Sequence, residues 1–345
     1  MRAVVLISFS SEGTQKVIGT HSGKFHADEV LGCFLLKQMP DYSSAVIKRT
    51  RNPDELNQCD IVIDVGGVYD HSKKRYDHHQ KGFDETLKSV TGIEEDIKLS
   101  SAGLVWAHYG KEIVKATVEQ DLSEKDIHDI FCRMYEMFIK EVDAKDNGIE
   151  AADPPYRYRT WTDFSGRVSR LNANGLRFDS ADEETQFKKA MELAKEEYFG
   201  ILNEIVSYWL PSREIVNEAL NNRFDVDASG RIMKIEKCGV SWPAHLKTLE
   251  EEKKIKNLIL FVVFPDGNSG WRVQAVPKES GFALRQPVLP TCLALRDAEL
   301  AAACGVHDAI FVHANGFIGG ARSYEGALEM ARKSIVDAEM KISDS

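Results

Sequence analysis

The sequence predicts an α/β fold, a parallel-sheet N-terminal domain followed by a smaller α+β C-terminal domain. Three observations carry that prediction. Short β-branched runs alternate with helically spaced apolar residues across 17–150, Pro154-Pro155 interrupts regular structure, and beyond it long helices precede a series of short strands. The 345 residues, 43 % of them apolar, suffice for two buried cores. The boundaries placed in this way are a first domain over 1–150, a linker over 151–182 and a second domain over 183–345.

Val17–Thr20 reads as a strand that runs into the polar turn His21-Ser22-Gly23-Lys24. A helix follows over Ala27–Met39, with Val30, Leu31, Phe34 and Leu35 at helical spacing and Pro40 as its stop. Ala45–Arg49 and Ile61–Val65 are further strands, the second a near-continuous apolar run suited to burial on both faces. Helical spacing over Ser101–Thr117 and Ser123–Val142 completes the first domain. In the second, a long helix covers about Glu183–Tyr208, ends near Leu210-Pro211 and precedes a shorter one over Arg213–Asn221. Strands at Arg231–Ile235, Leu258–Val263, Trp271–Val276 and Ala309–Val312 mix with helices at Ala298–Cys304 and Tyr324–Lys341.

With 44 basic and 54 acidic residues the net charge is −10, so the surface as a whole repels polyanions and a nucleic acid must be met by a local basic patch. A histone-like binder is excluded. The six cysteines, at 33, 59, 132, 238, 292 and 304, form no Cys-x-x-Cys pair and read as reduced thiols. The opening Met1–Ile7 run is short for a secretory core, while Arg2 and the serines behind it partly match a mitochondrial presequence. No stretch approaches the roughly 20 apolar residues of a membrane span.

His21, His26 and Asp28 occupy the turn after the first strand, where α/β sheets place ligands. Imidazole and carboxylate together suit Mn²⁺, Fe²⁺ or Zn²⁺ better than Ca²⁺. Asp64 closes the strand Ile61–Ile63, and Asp77-His78-His79 follows thirteen residues later. Neighbouring side chains on a strand face opposite ways, so one histidine of the pair suits a metal and the other a substrate. Asp143 and Asp146 stand three apart at a helix end closed by Gly148, and carboxylates placed there oppose the helix dipole unless a cation compensates. Either could face the cleft. These residues are enough to hold two divalent ions and to hydrolyse a phosphoester.

The order of these motifs resembles the DHH phosphoesterase superfamily. More closely, Thr20-His21-Ser22-Gly23-Lys24-Phe25-His26-Ala27-Asp28-Glu29, Asp77-His78-His79-Gln80, Asp143 to Gly148 and Gly316-Phe317-Ile318-Gly319-Gly320 resemble the melanocyte-proliferating-gene exonuclease family over nearly the whole chain. The resemblance implies a DHH-like N-terminal domain and a metal-dependent 3′-to-5′ RNA exonuclease with two divalent ions of manganese type. It implies an intracellular location in the nucleus, nucleolus and mitochondrion, and a single-stranded RNA 3′ end as partner. By the resemblance His21, His26, Asp28, Asp64, His78 and Asp143 are the metal residues, with Asp64 bridging. The resemblance also implies that His79 contacts phosphate, and Asp77 is expected to orient its neighbours rather than to ligate. The superfamily carries Asp where His26 stands here, one residue closer to the first histidine.

A substrate track is readable between the prolines and the long helix. Tyr156 to Arg170 holds Arg159, Trp161, Arg167 and Arg170 with a single acidic residue, Asp163, and Arg177 lies beyond. Guanidinium for phosphate and rings for bases are what a single strand requires. Near the C-terminus, His313 and the Gly319-Gly320 turn offer backbone N–H groups to an anion. The sequence therefore predicts a phosphodiester hydrolase acting on RNA ends. The competing readings are a small-substrate phosphatase or pyrophosphatase, for which the arginine island is superfluous, and a non-catalytic metal-binding scaffold.

Overall fold

The computed structural model describes residues 15–172, 180–278 and 283–343. The N-terminal segment read above for a leader, up to residue 14, and Arg177 lie outside them. The chain is a mixed α/β protein with two five-stranded sheets, and it divides into two compact units, Met1–Ile205 and Val206–Ser345. Among the described residues no helix is long and apolar enough to cross a membrane.

In chain order the first unit contains β1 (Val17–Thr20), α1 (Ala27–Lys37), β2 (Val46–Arg49), α2 (Pro53–Leu56), β3 (Ile61–Ile63), β4 (Tyr69–Asp70) and β5 (Arg75–Tyr76). It continues with α3 (Leu87–Thr91), α4 (Ser101–Thr117), α5 (Glu124–Met134), a π segment (Tyr135–Ile139), α6 (Lys140–Asp146), α7 (Phe164–Leu171) and α8 (Ser180–Glu204). The strand order is β2-β1-β3-β5-β4. β1 pairs in parallel with β2 and β3, and β3 with β5, but the edge strand β4 runs antiparallel to β5. The expected parallel sheet is therefore mixed. β4 and β5 are two residues each, too short to leave a period in the sequence.

α1 packs against both α4 and α8 and is buried almost all round, with Val30, Leu31, Leu35 and Leu36 at 0 % exposure. Gly32 lets it approach β3, because a Cβ there would lie 2.8 Å from Ile63 Cδ1. Gly32→Ala is accordingly expected to destabilise the protein by about 1–3 kcal/mol, read from chemical unfolding. α8, expected in the second domain, belongs to the first unit. Phe187, Ala190, Ala194, Tyr198 and Leu202 form a buried stripe at helical spacing, and the helix packs on α1 and α7. The boundary between the units accordingly falls after Ile205, and Pro154-Pro155 sits in a loop within the first.

The second unit contains α9 (Leu210–Asn221), α10 (Arg223–Val226), β6 (Ile232–Lys234), α11 (Pro243–Glu252), β7 (Phe261–Pro265) and β8 (Trp271–Ala275), then α12 (Asp297–Cys304), β9 (Ala309–Val312), β10 (Ile318–Ala321) and α13 (Tyr324–Ser343). The order is β6-β7-β8-β10-β9, parallel at β6–β7 and antiparallel elsewhere. Alternation along β7 builds two cores. Phe261 and Val263 join Leu300, Ala327 and Met330, whereas Val262 joins Val216, Leu246 and Leu249. A π segment, Ile205–Trp209, precedes α9, whose first turn accommodates Pro211.

Candidate metal centre

β1, β3 and β5 are neighbouring parallel strands, so their carboxyl ends share one sheet edge. His21 follows β1, Asp64 follows β3, and Asp77-His78-His79 follows β5. Asp64 adopts a left-handed φ of 58°, a conformation that Asp tolerates and most residues resist. Its backbone N–H is tied to the Tyr76 carbonyl at 3.0 Å.

Three sets of side chains bring ligand atoms within 4.8 Å of one another: His21, His26, Glu29 and Asp64; Asp64, Asp77, His78 and His79; and Asp28, His78 and Asp146. Asp64 is common to the first two. Its Oδ2 lies 3.3 Å from His21 Nε2, and its Oδ1 lies 3.6 Å from His78 Nδ1 and 3.4 Å from His79 Nδ1. Glu29, which sequence reasoning overlooked, meets His21 Nε2 at 3.0 Å and accepts from the backbone N–H of His26. It stands three residues after the N-cap, the acidic position of a capping box, and that signal was available in the sequence.

The donor set fits a divalent cation. Asp28 Oδ1, Asp64 Oδ1 and His78 Nδ1 are buried and have no hydrogen-bond partner among the described residues, an arrangement that costs stability unless something satisfies them. Burial, reinforced by the charges of Asp64, Asp146 and Glu29, pushes the Asp28 carboxyl well above the usual carboxylate range. Burial opposes a charged His21, yet its hydrogen bonds to Asp64 and Glu29 outweigh that and hold the imidazole up at about 10. Both shifts describe a site short of positive charge. Imidazole nitrogens mixed with carboxylate oxygens match Mn²⁺, Fe²⁺ or Zn²⁺.

Asp143, expected among the ligands, stands outside these sets. Its Oδ1 accepts from the Ser100 backbone N–H at 2.9 Å and from Ser100 Oγ at 2.7 Å, at the start of α4. Asp146 is the residue that reaches the site, with Oδ2 2.7 Å from His78 Nε2. Asp146→Asn is expected to lower metal affinity about tenfold or more, whereas Asp143→Asn should leave it intact. Burial pushes the Asp143 carboxyl up to about 7 from an ordinary 3.8. The folded state therefore holds a proton there that the unfolded state has released, and stability falls as pH rises through that window. Metal-free thermal melts at pH 5 and pH 8 should show a smaller fall for Asp143→Asn than for the parent protein.

Asp77 spends both oxygens on positioning. Oδ2 accepts from Gly67 N–H at 2.6 Å, closing the turn behind Asp64, and Oδ1 accepts from the His79 ring at 2.7 Å. These bonds, joined by the His79 backbone N–H, overcome burial and keep its carboxyl below the usual range. The His79 side chain is 61 % exposed and so faces solvent from a fixed ring. Behind it, the hydroxyl of Tyr76 meets His71 Nδ1 and the Tyr109 hydroxyl, each at 2.7 Å, which anchors the end of β5.

Arg159, Trp161 and Arg170 line a cleft of about 790 Å³ with Arg157 and Tyr158. Tyr158 and Trp161 are 81 % and 69 % exposed. Arg170 donates to the Trp161 carbonyl at 2.6 Å and so supports that loop. Arg167 does not line the cleft; it pairs with Glu197 at 2.8 Å. Gly319 and Gly320, read as a turn, lie inside β10 with β8 and β9 on either side. Their missing side chains make room for Met330 and Phe311, each of which would lie under 3.0 Å from an added Cβ. The turn itself is at Gly316, where His313 Nδ1 meets Asn315 Oδ1 at 2.7 Å.

Fold and site together define a mixed α/β protein in which three adjacent strand ends gather buried imidazoles and carboxylates able to hold metal ions. The MYG1 exonuclease profile, described as an uncharacterised protein family (UPF0160), matches residues 17–335, and the chain belongs to that family. It is 46 % identical over 323 residues to the MYG1 exonuclease of Bos taurus, covering 92 % of this chain and 84 % of that protein. Identity is 44 % to the MYG1 exonuclease of Homo sapiens, covering 92 % and 85 %. A MYG1 protein of Caenorhabditis elegans is 43 % identical, covering 92 % and 95 %.

Proposed function

We propose that this chain is a metal-dependent phosphodiesterase that removes nucleotides from the 3′ end of single-stranded RNA, with two divalent ions of manganese type as its cofactor. The observation that carries the reading is Asp64, a buried carboxylate with one oxygen toward His21 and the other toward His78 and His79. Membership of a family whose relatives are named exonucleases supports it. His21, His26, Glu29 and Asp64 would hold one ion and Asp28, His78 and Asp146 another, while the second oxygen of Asp64 faces His78 and His79. When bound, such ions lower the pKa of a coordinated water and offset charge on the phosphoryl oxygens.

The remaining work falls to the protein. Asp77 fixes His79 through Nδ1 and leaves Nε2 at the exposed end of the ring to accept or donate a proton at a phosphate oxygen. Trp161 and Tyr158 offer faces to bases, and Arg157 and Arg159 offer charge to phosphates. A Mn²⁺-dependent assay on end-labelled RNA, matched DNA, pyrophosphate and a generic phosphodiester tests the reading. Stepwise loss of nucleotides from the RNA 3′ end is expected. Preference for pyrophosphate would make the protein a small-substrate phosphatase, and metal binding without any hydrolysis would make it a scaffold.

A further inference from the structure

The turn that carries His21 and His26 has no regular structure, yet its backbone is held on both sides by side chains from outside it. Asn172, just beyond α7, accepts from the Phe25 N–H at 3.1 Å and donates to the Phe25 carbonyl at 2.6 Å. Glu183, in the first turn of α8, accepts from the Gly23 N–H at 2.8 Å, and Arg49, at the end of β2, donates to the Gly23 carbonyl at 2.6 Å. Gly23 takes a φ of 92°, which few residues other than glycine adopt. Arg49 and Glu183 also meet each other at 2.5 Å, with side chains 6 % and 16 % exposed. The guanidinium lies over the rings of Phe187 and Phe25, at 4.6 and 5.6 Å from their centroids.

A buried ion pair adds little net stability, because desolvation offsets most of its attraction. What it supplies here is geometry. Two of the four residues between His21 and His26 have both backbone groups fixed, and none of the three clamping residues belongs to the sets of ligand atoms. We propose that Asn172, Glu183 and Arg49 are positioning residues that hold the His21–His26 turn in the shape a bound metal ion requires. This rests on the metal reading above.

The test is the Mn²⁺ affinity of the full chain, measured by electron paramagnetic resonance of free Mn²⁺, together with the thermal midpoint of the metal-free protein. Asn172→Ala is expected to weaken Mn²⁺ binding about 10- to 100-fold while moving the metal-free midpoint by no more than about 4 °C. Asn172→Asp, which keeps the acceptor for the Phe25 N–H, should recover part of the loss. Glu183→Gln keeps the shape but weakens the hold on Arg49, so it should show a smaller loss in the same direction; it carries the test if Asn172→Ala does not fold. A folded variant that binds Mn²⁺ as tightly as the parent overturns the clamp. A parent protein with no affinity for Mn²⁺ overturns the metal reading itself, and the clamp with it.

Discussion

Asp64→Asn is expected to abolish hydrolysis and most metal binding together, with both rate and Mn²⁺ affinity falling by more than about 100-fold, beyond the loss usual for residues that only support a ligand. Asn tolerates the left-handed conformation that Asp64 adopts, so the backbone of the β3 end should survive the change. What disappears is the anionic oxygen between the His21 and His78 sets. Asp64→Ala is the poorer experiment, since the left-handed conformation adds a cost of about 1–2 kcal/mol of its own. Metal per chain, measured by elemental analysis beside the rate, checks the expectation. Near-normal rates with full occupancy would sink the shared-ligand assignment.

Trp161→Ala is expected to weaken binding of single-stranded RNA by about 1–3 kcal/mol, the usual worth of a stacked base. Hydrolysis of a small phosphodiester should be unchanged, because the indole contributes nothing to the metal sets. Arg159→Ala should flatten the salt dependence of RNA binding by roughly 0.7 in log–log slope, as one phosphate contact is lost. Arg167→Ala serves as the internal contrast: its guanidinium already faces Glu197, so it should leave that slope alone. Fluorescence anisotropy across a salt series gives all three values. An equal loss on small and long substrates would show that the loop supports the fold and does not grip RNA.

The parts legible in the sequence were those written in local spacing. The strand, turn and helix from Val17 to Lys37 follow from one β-branched run, one polar turn and an apolar period stopped by Pro40. The choice between Asp143 and Asp146 was not legible, because residues three apart on α6 share a helix face and only their tertiary neighbours separate them. Asp143 meets Ser100 at the start of α4, and Asp146 meets His78 beyond β5. Gly319 and Gly320 misled for a different reason: glycine pairs occur in turns and where partners crowd a strand, and Phe311 and Met330 are what decide here. The commitment of Arg167 to Glu197 depends on α8, thirty residues away in sequence.

The membership of α8 in the first unit governs where the gene can be cut. A polypeptide stopped at the proline pair would retain every proposed metal ligand, yet it would lack Phe187 and Tyr198, whose rings stand edge-on to Phe25 and Phe34 at 5.5 and 5.4 Å. Those aromatic faces would open to water as one sticky patch, and self-association is the expected fate of such a fragment. The compact unit that holds every proposed ligand therefore runs through Ile205.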